Sequence, residues 1–90
     1  MSISRNIEII NKLGLHARAA AQLVQLASSF SSHIEIEKDN RRVNGKSIMG
    51  VMMLAASRGT ELIIMADGND EVEAADSLAK LVSDRFGEQE

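Results

Sequence analysis

Four short stretches with the patterning of β-strands, at residues 3–10, 33–38, 41–44 and 60–67, are interleaved with three of helical character. Together they use nearly all of a ninety-residue chain. In the first stretch Ile3, Ile7 and Ile9 alternate with Ser4, Asn6 and Glu8, and in the second Ile34 and Ile36 alternate with Glu35 and Glu37. Period two is the mark of a half-buried strand. The fourth stretch runs Leu62-Ile63-Ile64-Met65 without alternation, which predicts a central strand with neighbours on both edges. The order strand, helix, strand, strand, helix, strand, helix predicts an α+β fold. Helices lie on one face of a largely antiparallel sheet, a two-layer open-faced sandwich in one domain spanning residues 1–90.

The boundaries follow from local chemistry. Gly14 ends the first strand, and an Ala-, Leu- and Gln-rich helix follows over 17–29, with Ala20, Leu23, Ala27 and Phe30 at helical spacing. Asp39-Asn40 is a two-residue turn that returns the chain into the short strand 41–44. Ser47 occupies the N-cap place of a second helix over 48–57, closed by Arg58-Gly59 with Gly59 in the left-handed position. A third helix runs from an Asn69 or Asp70 cap to Phe86, with Asp70 and Glu73 spaced as a capping box. Its buried face is Val72, Ala75, Leu78, Leu81 and Val82, and the tail from Gly87 to Glu90 is expected to fray.

Composition removes whole classes of function. Without cysteine there is no disulfide, no thiolate nucleophile and no cysteine metal site, and two histidines without a close ligand partner give no metal centre. A net charge of −3 with no Trp or Tyr excludes nucleic acid, which needs a basic stripe and stacking rings. No apolar run has the length of a membrane span and no secretion signal is read at the start, so the cytoplasm is expected.

The chemistry concentrates at Gly14-Leu15-His16-Ala17-Arg18. A helix start exposes unpaired N–H groups with partial positive charge and so receives anions. A histidine there could take up a phosphoryl group, the N–H groups of Ala17 and Arg18 meeting its negative oxygens. The positive helix end favours the neutral, nucleophilic ring, and the Arg18 guanidinium has a fork suited to phosphate. The plainer alternative is a helix-start histidine beside a solvated arginine. A Ser/His or Cys/His nucleophile pair finds no partner. Asn44-Gly45-Lys46-Ser47 ends in the letters of a phosphate-binding loop but lacks its earlier glycine, so no nucleotide site is read.

The second helix is almost wholly apolar. Val51 and Leu54 can face the sheet, yet Ile48, Met49, Met52 and Met53 cannot all follow. Either the helix is deeply buried or these side chains form an exposed docking patch, for which methionine is well suited. Gly50 within it costs about 1 kcal/mol relative to Ala and is easier to understand with something packed close over it. Ser47 is either a plain cap or a regulatory site. A phosphate there would set about −1.5 to −2 charge beside the patch and repel partners.

With Gly14-Leu15-His16-Ala17-Arg18 and Lys46-Ser47-Ile48-Met49-Gly50-Val51-Met52 about thirty residues apart, the chain resembles HPr over essentially its whole length. HPr is the histidine phosphocarrier of the bacterial phosphoenolpyruvate-dependent phosphotransferase system. The resemblance implies a βαββαβα sandwich with strand order 1-4-2-3. It implies that His16 is phosphorylated on Nδ1 by Enzyme I and hands the group to EIIA-type domains in sugar uptake, with Arg18 as the active-site arginine. Ser47 matches the serine modified by HPr kinase/phosphorylase, and Leu15, Ile48, Met49 and Met52 match the docking surface. Transcriptional regulators are further partners, the state is monomeric, no cofactor is implied, and turnover depends on partner enzymes. Two departures stand out. Ala19 replaces the proline usual after the arginine, which loosens the first helical turn. Asn11-Lys12-Leu13-Gly14 is similar to carriers of the nitrogen-related branch, so a regulatory carrier, or a binding module controlled at Ser47, is the alternative.

Overall fold

A computed structural model describes residues 2–90. The elements are β1 (Ser2–Glu8), α1 (Ala17–Ser28), β2 (His33–Lys38), β3 (Arg41–Asn44), α2 (Ile48–Met53), β4 (Glu61–Asp67) and α3 (Glu71–Ser83), followed by a short 3-10 turn, Arg85–Gly87. The sheet order is β1-β4-β2-β3, antiparallel throughout. β4 is central, pairing Ile7 with Leu62 on one side and Ile36 with Ile64 on the other. Its continuous apolar run divides between two faces. Leu62, Ile64 and Ala66 are buried under the helices, while Ile63 and Met65 lie half-buried on the open face.

The core between sheet and helices contains Ile34, Ile36, Leu62 and Ile64 from the strands, Ala20, Leu23 and Ala27 from α1, and Ala75, Leu78 and Val82 from α3. Phe30 and Leu81 pack at its margin. Two boundary expectations and one burial expectation are corrected. α2 stops at Met53, not residue 57, because Ala55 takes a left-handed φ of 49° and the Lys38 ammonium donates to the Leu54 carbonyl at 2.9 Å. That cation meets the negative end of the helix, and Gly59 serves the next turn instead, where Thr60 N–H bonds Ser57. The third helix ends at Ser83 rather than Phe86, which the 3-10 turn still carries into the core at 3% exposed. Val72, expected inside, is exposed.

Asp70 precedes α3 as its N-cap residue, but its side chain makes no capping bond. The carboxylate reaches across to the loop between α1 and β2 instead. It accepts from Ser31 N–H at 2.9 Å, from Ser32 N–H at 3.0 Å and from the Ser32 hydroxyl. The Ser32 hydroxyl, then the Ser31 amide, hold Asp70 down to about 2, with the Ser32 amide adding and burial opposing. A depressed carboxylate stabilises the fold above its unfolded value and loses that contribution as pH falls through its folded value. Asp70→Asn is therefore expected to be less stable than the parent at pH 6–7, with the gap closing between pH 4 and 2. Urea unfolding across that range checks it, and a gap independent of pH would refute the assignment.

Candidate functional site

Gly14 has a left-handed φ of 69°, and its Cα sits so close to the chain after α2 that an added Cβ would lie 2.8 Å from Ala56 O. The turn is tied there by Leu15 N–H donating to Ala56 O at 2.8 Å. The start of α1 and the end of α2 are thereby set side by side. His16 is the N-cap residue of α1, with extended backbone (φ −75°, ψ 176°) and no side-chain capping bond. The first intrahelical bond is donated by Ala20 N–H to His16 C=O at 2.8 Å, so the amides of Ala17, Arg18 and Ala19 precede the helical ladder. The helix begins at Ala17, as expected, and His16 stands one residue ahead of it. Ala19, in the proline's place, is fully buried.

The imidazole is not free. Its Nε2 lies 2.5 Å from Glu88 Oε2, with the two side chains 28% and 22% exposed. The same carboxylate accepts from Asn11 Nδ2 at 2.9 Å, and Asn11 Nδ2 also donates to Gly14 O at 2.8 Å. Both neighbours of that amide are acceptors, so its nitrogen must face them. The His16 hydrogen bond, then that of Asn11, hold the Glu88 carboxyl below the usual carboxylate range. Burial opposes them, while the positive charge of Arg18 adds to the lowering. The expected fraying of the tail is thus corrected: Glu88 is bonded to two side chains, and Lys12 N–H donates to Glu90 O at 2.5 Å. An open hollow of about 580 Å³ results, lined by Lys12, Leu13, His16, Arg18, Glu88, Gln89 and Glu90. It gathers the His16 ring, Arg18 and the start of α1 together with the Glu88 carboxylate.

Beside it, α2 presents its apolar side to solvent. Ser47 accepts from Gly50 N–H at 3.1 Å as the N-cap, Val51 and Leu54 are buried, and Ile48, Met49, Met52 and Met53 are exposed, Met49 by 73%. An added Cβ on Gly50 would meet Val43 Cβ at 3.3 Å, so the close neighbour is β3 of the same chain. Leu15, expected on the docking surface, is only 6% exposed. The tie to Ala56 turns it into the core, and Leu13, at 67%, is the exposed leucine of this loop. Glu88 and Asn11 were missed by sequence reasoning. A carboxylate 72 residues from its histidine gives no local pattern, although Asn11 among strand-end residues was a usable hint.

Comparison with known proteins fits this geometry. The family model described as "PTS HPr component phosphorylation site" matches residues 3–84. The phosphocarrier protein HPr of Cupriavidus necator is 53% identical over 88 residues, covering 98% of this chain and 99% of the relative. The crystal structure of HPr-C-His from Thermoanaerobacter tengcongensis superposes with a TM-score of 0.95 at 52% identity, covering 98% and 99% of the two chains. A crystal structure of an HPr dimer from that organism gives 0.78 at 56% identity over 91% and 94%.

Proposed function

The chain belongs to the HPr family, the phosphocarriers of the phosphotransferase system, and from that membership we propose the route its phosphoryl group takes. His16 accepts the group from phospho-Enzyme I, charged by phosphoenolpyruvate, and passes it to EIIA-type domains in sugar uptake. The observation that carries this reading is His16 at the open start of a twelve-residue helix, with Arg18 lining the same hollow. In the transfer the Nδ1 lone pair attacks phosphorus and the N–P bond forms. The bond from phosphorus to the donor breaks, and its electron pair leaves with the donor. The amides of Ala17 and Arg18 and the Arg18 guanidinium meet the phosphoryl oxygens. Each helix-end interaction of this exposed kind is worth about 0.3–1 kcal/mol, which suits a group that must be given away again. Ile48, Met49 and Met52 form the docking patch shared by donor and acceptors, with Leu13 in the place expected for Leu15.

Phosphorylation of Ser47 by HPr kinase/phosphorylase is the second element of the reading. It is supported by a half-buried hydroxyl at the head of the exposed methionine patch, and it would control binding of transcriptional regulators as well as docking. Asn11 has structural work in holding Glu88, so its likeness to the nitrogen-related branch does not by itself select that alternative. No helix among the described residues is long and apolar enough to cross a membrane. A cytoplasmic monomer is the state this reading proposes for the carrier. The T. tengcongensis dimer sets the contrary case, which sedimentation of this chain decides. The first experiment is incubation with Enzyme I and labelled phosphoenolpyruvate. One acid-labile, base-stable phosphoryl group per chain is expected, and no label with a competent Enzyme I would overturn the reading. With kinase and ATP the label is expected on Ser47, where its absence would remove the regulatory part alone.

A further inference from the structure

The ring of His16 is held by the tail of the chain rather than by its own helix. A carboxylate only accepts hydrogen bonds, and Glu88 is held ionised, so the nitrogen at 2.5 Å carries the hydrogen. A partner on one imidazole nitrogen decides which nitrogen keeps its lone pair. We propose that Glu88, anchored by the buried Asn11, is a positioning residue that keeps the hydrogen on Nε2 of His16 through the whole phosphoryl cycle. Glu88 thereby makes Nδ1 the accepting atom and sets how readily the phosphoryl group leaves. The inference rests on the phosphocarrier reading.

The cycle balances without proton movement. The neutral ring with Nε2–H attacks through Nδ1 and becomes an N-phosphorylated imidazolium, whose positive charge lies against the Glu88 carboxylate. When an acceptor or water attacks phosphorus, the N–P electron pair returns to Nδ1 and the neutral Nε2–H ring is restored. Without the carboxylate the phosphorylated ring sheds its Nε2 hydrogen at lower pH. The group must then leave from an anionic imidazolate, which is a poor leaving group. Asn11 makes the arrangement specific. Fully buried, it spends one amide group on both Gly14 O and Glu88 Oε1, so the turn that positions His16 also positions its partner. The other charges facing the hollow are Arg18 from α1, Lys12 from the loop and Glu90 from the tail. Lys12 and Glu90 lie 3.7 Å apart and largely compensate each other.

Two measurements test this. Ring-nitrogen NMR of the unphosphorylated protein above the ring's titration is expected to show Nε2–H in the parent and a mixture of tautomers in Glu88→Ala. Separately, the adduct can be made with phosphoramidate, a small chemical donor, and its hydrolysis followed by phosphorus NMR from pH 5 to 9. In Glu88→Ala and Glu88→Gln the adduct is expected to last about three- to tenfold longer at pH 7–8, with the profile displaced to lower pH, as loss of a partly exposed charged hydrogen bond implies. Glu88→Asp is expected to recover part of the shift. An unchanged tautomer and superimposable hydrolysis profiles, in variants whose circular dichroism matches the parent, would overturn the proposal. The NMR arm needs no phosphoryl donor. Failure of Enzyme I to label the parent, with the tautomer result intact, would therefore fall on the carrier route and not on Glu88.

Discussion

His16→Ala is expected to abolish the acid-labile adduct formed from Enzyme I and phosphoenolpyruvate, a loss of at least about a thousandfold in labelling rate, since the attacking lone pair is gone. His33 offers no substitute. It begins β2, 62% exposed and 3.4 Å from Glu35, away from the start of any helix. The fold is expected to survive, because the His16 side chain is outside the core and makes no capping bond. Its loss removes one of the two side-chain bonds to Glu88, and a hydrogen bond of this kind is worth about 0.5–1.5 kcal/mol, less than the fold can lose. Labelling at parental rate in a folded His16→Ala protein would place the phosphoryl group elsewhere. Arg18→Ala, by contrast, removes oxygen contacts and leaves the nucleophile, so labelling is expected to slow without vanishing.

Gly14→Ala carries the largest expected effect on stability. The substitution meets a left-handed backbone, which costs a residue with a Cβ about 1–2 kcal/mol. The new methyl would lie 2.8 Å from Ala56 O and 2.9 Å from Ser57 Cα, both backbone atoms that cannot swing aside. Overpacking adds about 1–3 kcal/mol, so a loss of about 2–5 kcal/mol is expected by urea unfolding. Labelling is expected to fall too, because the Leu15–Ala56 tie that places His16 beside α2 is pushed apart. Gly59→Ala separates the causes. Its φ is 90°, but nothing among the described residues lies within 4 Å of the added atom, so only the conformational cost applies. Equal losses at the two positions would refute the close-approach explanation.

Wherever the controlling physics is local, this fold could be read ahead of time. Asp39 and Asn40 both adopt positive φ, as a two-residue hairpin turn demands, and Ser47 caps α2 through the bond its position predicts. Two of the misreadings share a cause, which is that a distant group outcompeted the local one. Asp70 had a capping role within reach, yet the amides of Ser31 and Ser32 took its carboxylate. Ala55 has no preference for left-handed backbone and adopts it where Lys38 closes the helix from another strand. At the site, His16 and Arg18 were legible because a helix start announces itself in sequence. Glu88 was not, because the contact is made by folding alone, and the same folding turned Leu15 inward.

The hollow at His16 is one open site, and the Leu15–Ala56 tie sets the exposed helix α2 beside the start of α1. Donor and acceptor would then have to occupy the carrier in turn, and the time one stays is time denied to the other. Ordinary protein association proceeds at about 10⁵–10⁷ M⁻¹ s⁻¹, and a relay working at about 10 s⁻¹, a median enzyme turnover, must release each partner at least that fast. The ratio puts a floor of roughly 1–100 μM under either dissociation constant. A tighter complex would make the carrier a sink rather than a conduit. A patch of a few flexible methionines on a six-residue helix is the kind of surface that stays above that floor.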